Sequence, residues 1–115
     1  MRRGDLFLAD LAPARGSETD KRRPVVVVSN DGANAMAARL NRGVVTVVPI
    51  TSNTSRVYPF QVLLAAGEAG LERDSKAQAE QVRSIAVERL GSRLGALPPK
   101  LMRAIDDALR LHLAL

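Results

Sequence analysis

The chain has 115 residues and a formal net charge of +5 at neutral pH. It has no cysteine and one histidine, His112, which excludes disulfides, thiolate metal sites and any centre needing two imidazoles from one chain. The length fits a single domain over residues 1–115 with one core, and the lack of cysteine suits a reducing cytoplasm.

The N-terminus is basic and partly apolar, but Asp5 and Asp10 interrupt it, so it does not read as a signal peptide. No apolar run approaches a membrane span. "GDLFLADL" (4–11) predicts a first strand. "APARGSETDKR" (12–22) reads as a long polar loop. "PVVVVSN" (24–30) is β-branched and unbroken, the pattern of a strand buried on both faces. "NAMAARL" (34–40) predicts a turn or two of helix, and "GVVTVVPITS" (43–52) a third strand. "NTSRVYP" (53–59) is a second polar loop, followed by a short strand "FQVLL" (60–64). "KAQAEQVRSI" (76–85) alternates, predicting one strand with Lys76, Gln78 and Glu80 on one face and Ala77 and Ala79 on the other. "GSRLGAL" (91–97) is a last strand. From "PPKLM" onward the pattern is helical, with prolines where a helix start accepts them. Leu101, Ile105, Ala108 and His112 form its stripe, broadened by Met102, Leu109 and Leu113. Such an inventory predicts a small β-barrel with a helix packed on it.

Arginine supplies 14 of the 17 cations. Guanidinium grips phosphate bidentately and desolvates more readily than ammonium, so the charge fits a polyanion partner; a GC-rich genome would inflate arginine as well. Phe7, Tyr58 and Phe60 are the only aromatics, too few for a base-stacking platform. Lys21, Arg22 and Arg23 stand directly before Pro24 and the valines. An arginine there has a rigid base and a head group aimed at a loop, as a phosphate grip requires; equally, the cations could be gatekeepers against aggregation. Thr51 and Ser52 end the third strand, where hydroxyls can donate to phosphate or cap a turn. Gln78 and Glu80 either serve a site or line a solvated face. His112 reads as packing or interface, and Asp106 and Asp107 as ion-pair partners of Arg110. No metal-ligand cluster or phosphate-loop motif is present in the sequence.

"GSE" (16–18), "RRP" (22–24), "VPITS" (48–52), "YPF" (58–60) and "EQVRSI" (80–85) occur in the order of the MazF family landmarks. The chain resembles these bacterial toxins over essentially its whole length, and most closely the actinobacterial and deinococcal branch. The resemblance implies an SH3-like barrel, α+β in class, as in Kid and CcdB, and a homodimer. It implies metal-independent, cofactor-free, sequence-specific cleavage of single-stranded RNA in the cytoplasm. It also implies a cognate MazE-like antitoxin with an acidic tail, in two-to-one or four-to-two assemblies. By position, Arg23 and Thr51 fall on the family's catalytic arginine and threonine, and Glu18 on the acidic residue of the "GSE" loop. Gln78 and Glu80 stand where Kid has its acid–base pair, and Ser17 where Kid has histidine. An amide cannot be an acid, which leaves Glu80 as the carboxylate expected to be base or substrate orienter. Substrate binding is expected of Ser17, Glu18, Arg22, Ser52, Tyr58, Gln78, Gln81 and Arg83. A gyrase poison on the same barrel, a non-catalytic RNA-binding barrel and a plain dimerising module remain as alternatives.

Overall fold

The computed structural model of the protein describes residues 1–11 and 22–115. Among these residues seven strands form one antiparallel sheet: β1 (Asp5–Asp10), β2 (Arg22–Val27), β3 (Val44–Thr51), β4 (Gln61–Leu64), β5 (Ser75–Gln78), β6 (Arg83–Ala86) and β7 (Leu90–Ala96). Their order is β4-β5-β3-β2-β1-β7, with β6 also on β3. Helix α1 (Asp31–Leu40) joins β2 to β3, and α2 (Pro99–Leu113) ends the chain.

The valine run explains the middle of the sheet. Val25, Val26 and Val27 are completely buried, as are Val47 and Val48 opposite them. Alternation sends Val26, Val48 and Ile50 to one core, with Leu6, Leu64 and Ile105 of α2. It sends Val25, Val27, Val45 and Val47 to a second core, with Ala9, Leu11, Ile85 and Ala37 of α1. Apolar burial on both faces, about 1.5–3 kcal/mol per valine, makes these two strands the fixed reference of the molecule.

Helix α1 starts three residues before the expected Asn34. Asn30 caps it, its side chain accepting from the Ala33 N–H at 2.8 Å. Helix α2 opens on Pro99, as the prolines predict. Ile105 and Ala108 are buried and Leu101, Met102 and Leu109 are half-buried, but His112 and Leu113 are exposed. The stripe therefore packs only over its first three turns. His112 lies beside the Phe60 ring at a centroid distance of 6.3 Å.

Two expectations need correction. β4 and β7, the two edges, do not pair, so the sheet is open rather than a hydrogen-bonded barrel. It still wraps one core, because Leu64 of β4 and Leu94 of β7 both belong to the α2 side. The 3-10 turn Glu68–Gly70 lies against β7, backbone on backbone. A Cβ on Gly70 (φ +83°) would stand 2.2 Å from the Leu94 carbonyl oxygen, and one on Gly95 2.6 Å from the Ala69 carbonyl, so only glycine fits either position.

The second correction concerns residues 76–85. They are not one strand. β5 ends at Gln78, Ala79–Gln81 form a 3-10 turn, and β6 begins at Arg83. Ile50 pairs with Ala77 and Val47 with Arg83, leaving Val48 and Pro49 without ladder partners on that side. Proline has no N–H to donate, and the opposing strand leaves the ladder where Pro49 stands. Glu80 therefore sits on a turn, off the strand face it was expected to share with Lys76 and Gln78. Lys76, expected on an outward face, is only 8% exposed.

Candidate active site

The site is built where β2 begins and β3 ends. Ile50 and its partner Ala77 face the α2 core, so Thr51 and Lys76 point to the other face, as does Arg23 by its register two residues before Val25. Arg23 Nη1 donates to Thr51 Oγ1 at 3.3 Å. The Asn53 N–H also donates to that oxygen, at 3.3 Å. Thr51 thus both caps a turn and meets the arginine. Its hydroxyl is used as acceptor in both bonds, leaving its own proton to donate outward. Half-buried Arg23 thus brings its guanidinium against that hydroxyl. A guanidinium beside a hydroxyl donor suits developing charge on phosphate oxygens.

The loop after β3 is tied across this face. Lys76 Nζ donates to the Arg56 carbonyl, which accounts for the burial of that lysine. Asn53 Oδ1 accepts from the Ser55 N–H and hydroxyl at 3.2 and 2.9 Å. Arg56 Nη1 donates to the Tyr58 hydroxyl at 3.1 Å, and its guanidinium lies over the Tyr58 ring, 5.7 Å from the centroid. Tyr58 in turn stacks on Phe60 at 5.3 Å. An exposed aromatic and a cation are therefore presented together on a fixed loop.

Glu80 joins the same loop through a residue that sequence reading missed. Gln61 Nε2 donates to Glu80 Oε2 at 2.6 Å, while Gln61 Oε1 accepts from the Tyr58 N–H at 3.0 Å. Glu80 Oε1 is buried and, among the described residues, has no hydrogen-bond partner. In "FQVLL" a glutamine reads as the polar side of a half-exposed strand. The signal that could have found it is the pairing of Gln61 with Gln78 across β4 and β5, which points its amide toward the turn that carries Glu80.

The other expected residues distribute around this pair. Arg22, exposed, opens β2 opposite Asp10. Together with Ser52 and Arg73 it rims a cleft of about 510 Å³, floored by Leu8, Ile50 and Leu94. Gln78 ends β5 and Gln81 ends the 3-10 turn, both half-buried. Arg83 pairs with Val47 at the start of β6. Ser17 and Glu18 lie outside the described residues. The helix-surface pairs are half as expected: Arg110 meets Asp107 at 3.0 Å, but Asp106 meets Arg3 instead, at 2.6 Å. No group of three acidic or imidazole side chains able to hold a metal occurs among the described residues, and none of the described helices is long and apolar enough to cross a membrane.

Relatives share this framework. The chain is 60% identical over its whole length to a protein named endoribonuclease MazF9 of Mycobacterium tuberculosis, covering 98% of that protein. It superposes on the crystal structure of MazF from Deinococcus radiodurans with a TM-score of 0.82 at 26% identity, over 100% of this chain and 97% of the other. A mycobacterial endoribonuclease solved with its cognate antitoxin gives 0.78 at 26% identity, over 100% and 96%. Residues 2–113 match the PemK-like, MazF-like toxin of type II toxin–antitoxin systems, and the chain belongs to that family.

Proposed function

We propose that this protein is the toxin of a type II toxin–antitoxin pair and an endoribonuclease that cuts single-stranded RNA, mRNA above all, in the cytoplasm, without a metal and at preferred sequences. The observation that carries this is the Arg23–Thr51 pair at 3.3 Å in a chain that belongs to the toxin family and has a full-length relative named an endoribonuclease. In the proposed reaction the RNA 2′-oxygen bonds to the adjacent phosphorus while its proton passes to Glu80. The bond from phosphorus to the 5′-oxygen breaks, and that oxygen takes a proton from water and leaves as a 5′-hydroxyl, opposite a 2′,3′-cyclic phosphate. Arg23 and the Thr51 hydroxyl stabilise the charge that builds on the non-bridging oxygens. Arg22, Ser52, Arg56, Tyr58, Gln78, Gln81 and Arg83 provide phosphate and base contacts, with Ser17 and Glu18 contributing as well.

The partners follow from the same surface. A neutralising antitoxin with an acidic tail would be complementary to a groove built for a polyanion, and antitoxin-bound relatives support that reading. A homodimer would extend the phosphate track; Leu63, Leu111 and Leu113 are apolar side chains about half exposed that pairing could cover. The test is incubation of purified protein with RNA in EDTA, followed by end analysis. Cyclic-phosphate and 5′-hydroxyl ends are expected. Activity that vanishes with EDTA and returns with magnesium would refute the metal-free route.

A further inference from the structure

Gln61 is 8% exposed and takes no part in the chemistry as so far described. Its amide has one possible orientation. The Tyr58 N–H requires an acceptor and the Glu80 carboxylate requires a donor, so Oε1 must face the loop and Nε2 the turn. A third contact, Gln61 N–H to the Tyr58 carbonyl at 2.9 Å, fixes its backbone to the same loop. The bond to Glu80 uses one carboxylate oxygen. The other, Oε1, is buried without a partner among the described residues. Leaving such an oxygen unpaired costs free energy, and a native structure keeps one only where strain, a part in the chemistry or an ordered water accounts for it.

We propose that Gln61 is a positioning residue that clamps Glu80 by one oxygen, locking the carboxylate to the loop that carries Arg56 and Tyr58. This rests on the reading of Glu80 as the base. A carboxylate on a 3-10 turn has several accessible rotamers. Tying Oε2 to an amide that is itself tied to the loop leaves one. RNA that seats on Tyr58 then finds Glu80 in a set position, because Gln61 touches both.

Three variants test this on an end-labelled RNA carrying a cut site mapped for the wild-type protein, with folding followed by thermal melts. Gln61→Met removes both side-chain bonds. Gln61→Glu keeps an acceptor for Tyr58 but loses the donor to Glu80. Both are expected to lower kcat about 10- to 100-fold, the range for one hydrogen bond to a charged group, with KM within about three-fold. Wild-type kcat in Gln61→Glu, or a loss confined to KM, would reduce Gln61 to a loop anchor and overturn the proposal. The exchange Gln61→Glu with Glu80→Gln re-forms the hydrogen bond with the carboxylate in the wrong place. It is expected to fold and stay inactive; full activity in it overturns the proposal. Glu80→Gln alone separates the two levels. If it turns over at the wild-type rate, the reading of Glu80 fails and the clamp with it. If it is inactive while Gln61→Met is fully active, only the clamp fails.

Discussion

Two carboxylates in this protein are handled in opposite ways. Asp5 is 6% exposed and both of its oxygens are used: Oδ2 accepts from the Arg2 N–H at 2.9 Å and Oδ1 from Arg93 Nη2 at 3.2 Å. Burial works to raise its pKa, but the Arg93 hydrogen bond, the Arg2 N–H and the nearby positive charges outweigh it and hold it below the usual carboxylate range. Glu80 is held at one oxygen and, among the described residues, has no partner at the other. A saturated carboxylate stabilises the fold and has nothing left to offer a substrate. A half-satisfied one leaves stability unused and keeps an acceptor in reserve.

The contrast is sharpest in turnover. Glu80→Gln should lose about 10²–10⁴ in kcat, the usual worth of a positioned base, while its melting temperature holds, since the amide oxygen can still accept from Gln61. Unchanged turnover would put Glu80 in the same class as Asp5. Arg23→Ala comes next. Removing one donor to developing charge costs about 10²–10³ in rate, and single-turnover cleavage should show it with little change in stability. A melting temperature that collapses instead would make Arg23 a structural residue.

Asp5→Asn should do the reverse: cleavage retained well below its melting point, and stability reduced by about 2 kcal/mol. The sign of its pH dependence follows from the lowered pKa. The charged form is favoured in the folded state, so its contribution is complete above the unfolded value of about 3.9 and is lost as pH falls through the lower folded value. Urea melts should show a constant gap between wild type and Asp5→Asn from pH 7 down to about 4, narrowing below. A gap that widens with acid would contradict the assignment. Smallest is Asp107→Ala. Its pair with Arg110 is exposed, at 77% and 61%, and its loss should change stability by less than about 0.5 kcal/mol with no effect on cleavage.

The sequence carried the sheet because its strands are written in alternation and in valine. Arg23 and Thr51 were legible as strand-end residues, and pairing of β2 with β3 brings their side chains to 3.3 Å. The sequence did not carry Gln61, since nothing local distinguishes an amide that bridges two elements from one that faces water; the bridge exists only once β4 pairs with β5. The break at 79–81 was written, in Pro49, but on the other strand. "KAQAEQVRSI" alternates well enough to read as continuous when its partner is ignored. The approach of Gly70 to β7 is likewise a tertiary contact that no window of sequence contains.

That break has a consequence for how the protein tolerates length changes. On one side of Pro49 the partner of β3 is β5, on the other β6, and the two pairings are separately anchored. A residue added or removed between Gln78 and Arg83 would be absorbed by the unpaired turn. Neither ladder would slip, so no side chain would be sent to the wrong face. Glu80, however, would shift with its turn. The fold thus contains a position where the placement of Glu80 can be changed by insertion or deletion while both ladders keep their register.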